Sequence, residues 1–262
     1  MSLTKTELKD IQSLQTKKGR KLKKRFLAEG VRLLEEAARH RARPEVVYYA
    51  ESTLSDRARS LLDRFAKQAV PTEAIPHRQI ESLADTETTQ GLVAVFREPP
   101  TSLAELYQPN LRRILLCEHI ADPGNLGTMM RSALAFGFEL IILAGNSAEP
   151  YSPKVVRASA GTIFGLPVAI AETSEVLELA AAKKIYLLAS DISGQPAAVQ
   201  LREIPKENQV MLAVGSEAEG VSPEILSRAS SRVRIEHSEA VESLNAAVAG
   251  SILMKELYEI RK

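Results

Sequence analysis

Four stretches of this chain are nearly uninterrupted apolar runs: Ile114-Leu-Leu-Cys117, Leu140-Ile-Ile-Leu143, Ile185-Tyr-Leu-Leu-Ala189 and Val210-Met-Leu-Ala-Val214. A strand with one wet face alternates apolar and polar side chains, so runs of this kind suit strands covered on both faces, as in a parallel sheet layered between helices. Segments with helical patterning separate them, near 126–136, 153–162, 174–183 and 223–229. The alternation predicts an open α/β domain over 107–262. Ligands of such sheets occupy the crevice outside the carboxyl ends of the strands, so the loops leaving the strands are where function is to be sought.

Upstream the pattern is that of a smaller α/β domain over 1–98, closed by Pro99-Pro100 and a linker to 106. Glu45-Val-Val-Tyr-Tyr-Ala50 reads as a strand, followed by an amphipathic helix through Leu54, Leu61, Leu62 and Phe65. A strand over 71–75, a helix over 77–84 and a strand over 88–97 complete it. The first segment has helical spacing through Leu22, Phe26, Val31, Leu33 and Leu34, and seven of the nine residues from Lys17 to Arg25 are basic. Lys17, Lys18, Arg20, Lys21, Lys23, Lys24 and Arg25 form a local patch in a chain whose net charge is only +1. A patch of this density can neutralise phosphates, so these residues are candidate contacts to a polyanion such as RNA; a solvated helix face is the plain alternative.

With 45% apolar and 26% charged residues the composition is that of a soluble globular protein, without a run long enough to span a membrane. The polar start Met-Ser-Leu-Thr-Lys lacks a signal-peptide core, and a single cysteine, Cys117, excludes an internal disulfide framework or a cysteine-rich zinc site. A cytoplasmic protein without membrane contact or metal is expected.

Three strand-end segments carry candidate chemistry. Asp122-Pro-Gly-Asn-Leu-Gly-Thr-Met-Met-Arg131 sets Asn125 in the turn after a strand and Arg131 in the first half of the following helix. Asparagine offers a donor and an acceptor, and arginine a planar fork suited to phosphate or a developing oxyanion. Val214-Gly-Ser-Glu-Ala-Glu-Gly220 runs from a buried strand directly into Gly215, which lets a ligand approach the backbone, and holds Glu217 between two glycines. In the last segment Ser243 stands where a helix begins, as its N-cap, with Asn245 beside it and Leu244, Val248 and Ile252 at helical spacing. The small residues Ala246, Ala247, Ala249, Gly250 and Ser251 allow another backbone or a ligand close to that helix. No GxGxxG occurs, which argues against a nicotinamide-dependent oxidoreductase.

Asn-Leu-Gly-x-x-x-Arg-Ser-Ala, Val-Gly-Ser-Glu-Ala-Glu-Gly-Val-Ser and Glu-Ser-Leu-Asn-Ala-Ala-Val-Ala together resemble, in order and spacing, the three motifs of the SpoU (TrmH-like) branch of the SPOUT RNA methyltransferases. The resemblance extends over Val156–Val168, the Gln90-Gly-Leu-Val-Ala strand and the basic N-terminal segment. It implies a C-terminal parallel-sheet domain with a trefoil knot, preceded by an L30e-like RNA-binding domain, and a homodimer. It also implies S-adenosylmethionine (AdoMet) as cofactor, with methyl transfer to a ribose 2'-hydroxyl of RNA, 23S-type rRNA being preferred and tRNA the alternative substrate.

By position Asn125, Arg131, Glu217, Ser243 and Asn245 match the family's catalytic set. Gly215, Glu217, Gly220, Ile235, Ser243 and Leu244 match its cofactor contacts, with Ala189 and Ser190 at another strand end as further candidates. The sequence departs from the family at Ile235-Glu-His-Ser-Glu239, where Ile-Pro-Met and a nearby glycine are usual. That departure motivates a second reading, a non-catalytic RNA-binding or assembly factor retaining the fold. Arginine is effectively always protonated in proteins, so Arg131 is expected to bind and stabilise the reacting oxygen rather than act as a conventional base.

Overall fold

The computed structural model describes residues 2–86, 88–238 and 240–260. They form two compact units, one running to Pro99 with Glu149–Gly165 added, the other comprising Pro100–Ala148 and the chain from Leu166 on.

The first unit opens with α1 (Lys5–Gln12), whose Thr4 and Glu7 form a capping box, and α2 (Lys17–Lys23). The helical spacing read through Phe26 to Leu34 is interrupted. Lys24 adopts the left-handed conformation at φ 52°, and Arg25–Glu29 is strand β1. Gly30, at φ 97°, then opens α3 (Val31–Arg39). Strand pairing at long range overrides the local period: Phe26-Leu-Ala is buried in an antiparallel ladder, Phe26 opposite Phe96. β2 (Val46–Tyr49), α4 (Asp56–Lys67), β3 (Thr72–Ala74), α5 (His77–Leu83) and β4 (Leu92–Arg97) follow, and the sheet order is β1-β4-β2-β3.

The second unit begins with α6 (Leu103–Leu106), β5 (Arg113–Glu118), α7 (Pro123–Ala135) and β6 (Leu140–Ala144). The chain then contributes α8 (Pro153–Ala158) to the first unit. There Phe26, Phe96, Tyr151 and Phe164 form an aromatic cluster with centroid separations of 4.7–5.5 Å between successive rings. Buried Arg20 meets Glu149 through Nε at 2.8 Å and Nη2 at 2.8 Å.

β7 (Val168–Ile170), α9 (Thr173–Lys183), β8 (Tyr186–Pro196), α10 (Ala197–Gln200), β9 (Val210–Val214), α11 (Pro223–Arg228), β10 (Ser231–Arg234) and α12 (Ala246–Ile260) complete the second unit. Its six strands are all parallel, in the order β10-β8-β9-β5-β6-β7. The four apolar runs fall on β5, β6, β8 and β9, Ile185 lying one residue ahead of β8, and both faces are covered as expected. Ile114, Leu116, Ile142 and Met211 share a core with Val176, Leu177 and Ile225 of α9 and α11. On the other face a Cβ on Gly250 of α12 would lie 3.3 Å from Met129 of α7 and 3.5 Å from Val214 of β9. No helix among the described residues is long and apolar enough to cross a membrane.

Candidate functional site

The carboxyl ends of β5 and β9 and the start of α12 bring together one side chain from each of three loops. Asp122 caps α7, its Oδ1 accepting the Asn125 N–H at 2.8 Å, and Pro123 occupies the first turn where its missing N–H is tolerated. Asn125 is thereby fixed in the first helical turn. Its Nδ2 donates to Glu217 Oε1 at 2.9 Å. Asn245 Nδ2 donates to Asn125 Oδ1 at 3.0 Å and also to Glu217 Oε1. Two amides and one carboxylate thus hold three segments 92 and 28 residues apart in sequence.

Each corner has its own local cause. After β9, Gly215 passes so close to Gly220 that an added Cβ would lie 1.9 Å from its carbonyl oxygen. Only glycine fits this crossing. Gly220, at φ 68°, donates its N–H to the Ser216 carbonyl at 2.9 Å, closing the tight loop that displays Glu217. At α12 the capping residue is Asn245, not Ser243. Asn245 Oδ1 accepts the N–H groups of Ala247 at 3.0 Å and Val248 at 3.2 Å, leaving its amide nitrogen for the cluster. Ser243 is exposed, and among the described residues it has no hydrogen-bond partner.

The remaining candidates lie around this cluster or apart from it. Arg131 is exposed on α7, without an ion pair among the described residues. Six residues beyond Asn125, it lies about 120° around the helix and about 9 Å along it, so it is not part of the hydrogen-bonded group. Ile235 and Leu244 are half-buried, one following β10 and the other preceding Asn245. Ala189 is buried and Ser190 half-buried at the point where β8 leaves its partner: the pairing with β10 jumps from Ala189–Arg232 to Gln195–Val233.

Asp191 opens that excursion. Burial pushes its carboxyl up, but the Ser193 N–H and hydroxyl and the Arg232 guanidinium outweigh this and hold it below the ordinary range. Of the divergent segment, Glu236, His237 and Ser238 are exposed, and Glu239 lies outside the described residues. His237 Nδ1 lies 3.0 Å from the Ser238 carbonyl.

The basic patch is smaller than its sequence. Arg20 is 3% exposed, and its guanidinium is engaged by Glu149 and the Leu14 carbonyl, so it is withdrawn from the candidate RNA contacts. Lys23 pairs with Asp10, and Arg25 with Glu45 at 2.7 Å. Lys17, Lys18, Lys21 and Lys24 remain exposed without an ion pair among the described residues.

Two residues at the strand ends were missed. Glu118 directly follows the apolar run Ile114–Cys117, and it is 1% exposed. His119 is exposed and left-handed at φ 56°, its Nδ1 accepting the Asn146 N–H at 3.1 Å. Its only sequence signal is Gly145, where a Cβ would lie 2.4 Å from the imidazole.

Residues 112–255 match the model of the SpoU rRNA Methylase family, and residues 5–94 that of an MRM3-like substrate binding domain. The chain belongs to the SpoU rRNA methylase family. Among similar family members, the 23S rRNA (guanosine(2553)-2'-O)-methyltransferase RlmP of Bacillus subtilis is 30% identical, the match covering 96% of this chain and 95% of that one. An uncharacterized tRNA/rRNA methyltransferase of Synechocystis is 33% identical over 100% and 93%. Of the solved structures, the SpoU methyltransferase AviRb of Streptomyces viridochromogenes, in complex with AdoMet, superposes with a TM-score of 0.85 at 28% identity, covering 98% of each chain. An AdoMet-bound rRNA methyltransferase of Sinorhizobium meliloti gives 0.84 at 27% identity over 99% and 96%. The expectation of a parallel-sheet SpoU domain preceded by a substrate-binding domain is met.

Proposed function

We propose that the protein transfers a methyl group from AdoMet to a ribose 2'-hydroxyl of ribosomal RNA. The observation that carries this reading is the meeting of Asn125, Glu217 and Asn245, one side chain from each motif, at the carboxyl edge of the sheet. The activities named for RlmP and AviRb's complex with AdoMet support rRNA and cofactor; tRNA is the minor alternative.

The residues fit such a cofactor. A Cβ on Gly220 would meet nothing within 4 Å, and half-buried Ile235 and Leu244 add apolar surface beside backbone polar groups. Gly215, Glu217, Gly220, Ile235, Ser243 and Leu244 would hold it, with Ala189 and Ser190 at the neighbouring strand end. Bound AdoMet would supply an electrophilic sulfonium methyl group for the ribose oxygen, S-adenosylhomocysteine being the leaving group.

The protein's task is alignment and charge stabilisation. The Arg131 guanidinium donates to the 2'-oxygen and the adjacent phosphate, stabilising the alkoxide as its proton leaves to phosphate or water. Ser243 orients the ribose, while Asn245, Asn125 and Glu217 brace the loops that carry it. Lys17, Lys18, Lys21 and Lys24 give salt-dependent RNA affinity. A homodimer in the cytoplasm and a trefoil knot near the last helix belong to the same reading. The knot is supported by the sheet order, which sets β10 at the edge beside β8 while α12 returns to β9 and α7.

Transfer of tritiated methyl from AdoMet to rRNA from a strain lacking the gene, with 2'-O-methyl mapping of the product, tests the proposal. Arg131→Ala is expected to reduce turnover at least ~100-fold, the scale of losing one oxyanion donor. An inactive wild-type protein that still binds rRNA would favour the assembly-factor reading, and near-normal turnover in Arg131→Lys would refute the need for a guanidinium.

A further inference from the structure

Glu118 ends β5 in a place where the preceding Ile-Leu-Leu-Cys would lead naturally to another apolar residue. It is 1% exposed, and among the described residues no cation pairs with it. Burying a carboxylate without a counter-ion opposes folding unless hydrogen bonds satisfy its oxygens. The compensation comes from hydrogen bonds. Oε1 accepts the hydroxyls of Thr173 at 3.1 Å and Ser222 at 2.8 Å, and Oε2 accepts the Ser222 N–H at 2.8 Å.

Those partners begin two different helices. Thr173 is the first residue of α9, and Ser222 caps α11. Ser222 also ends the loop that starts at Gly215, a loop crossed upon itself at Gly215 and Gly220 and held at Glu217 by Asn125 and Asn245. Val221 is buried in the core, and Glu118 supplies a polar anchor from another strand.

We infer that Glu118 is a positioning residue, which fixes the Gly215–Ser222 loop in the conformation that receives the cofactor. This rests on the methyltransferase reading above. Glu118→Met keeps similar volume and removes every acceptor. It is expected to fold with somewhat lower resistance to urea, because the Thr173 hydroxyl and the Ser222 hydroxyl and N–H lose their acceptor. Amide hydrogen exchange over 216–222 should accelerate, and AdoMet affinity measured by calorimetry should fall about tenfold or more, as displaced binding geometry demands.

Ser222→Ala is expected to weaken AdoMet binding as well, and the double variant should bind no worse than Glu118→Met alone, because both changes remove one interaction. Folded Glu118→Met with wild-type loop exchange and AdoMet affinity would overturn the inference. Should that variant not fold, Glu118→Gln and Ser222→Ala carry the same two measurements, and wild-type values in both would overturn it equally. Failure of the wild-type protein itself to bind AdoMet, with loop exchange still responding to Glu118→Gln, would instead refute the methyltransferase reading and with it the cofactor role assigned here.

Discussion

Arg20 and the lysines beside it carry the same formal charge to different ends. Arg20 is buried against Glu149, and breaking a buried pair leaves an uncompensated charge, so Arg20→Ala is expected to cost about 3 kcal/mol in a urea unfolding experiment. Neutralising Lys17, Lys18, Lys21 and Lys24 should leave stability within about 0.5 kcal/mol. It should make the slope of log K against log salt for RNA binding shallower by about 3, at roughly 0.7 per lost phosphate contact. Asp191 has a stability effect of definite sign. Its folded pKa is depressed, so its contribution is present above the unfolded value near 3.8 and is lost as pH falls through the folded one. Asp191→Asn is therefore expected to be less stable than wild type at pH 7, the gap closing below about pH 4 in paired denaturation curves. Asn125, Glu217 and Asn245 were legible because motif order places them at strand ends; Glu118 was not, since a carboxylate after an apolar run looks the same whether it enters solvent or turns inward. Arg20 was misread for the complementary reason, that a charge run does not record which member faces the core.

At the scale of elements, α12 depends on Asn245 twice, as cap and as a corner of the site. Asn245→Ala is expected to lose about 1 kcal/mol from the cap and to abolish methyl transfer, whereas Asn245→Asp should retain the cap but set a second carboxylate against Glu217 and still impair activity. Thermal unfolding together with the tritium assay separates the two effects. The small residues of this helix were readable in advance, but its buried face was not. The stripe at Leu244, Val248 and Ile252 is half-buried or exposed, while Ala246, Ala247, Gly250, Leu253, Met254 and Leu257 face inward. Helical spacing admits several apolar stripes on a helix this rich in alanine, and packing chooses between them. The same limit explains β1: a short segment can satisfy a helical period and still be claimed by a strand partner far along the chain.

For the whole molecule, the parallel sheet followed from four buried runs, but strand order did not, because no local pattern says that β10 will lie beside β8. Val248 is 47% exposed on α12, and in the proposed homodimer a partner packed on this helix would cover it. If that proposed dimer forms through α12, light scattering coupled to size-exclusion chromatography gives a dimer mass for the wild type and a monomer mass for Val248→Glu. The first unit draws on residues 149–165, which supply Tyr151, Phe164 and the counter-ion of Arg20. During synthesis, then, a nascent chain that has passed the paired prolines still lacks part of that unit's interior. β5 and β6 must leave the ribosome before it can close, so the order of folding cannot follow the order of translation one unit at a time.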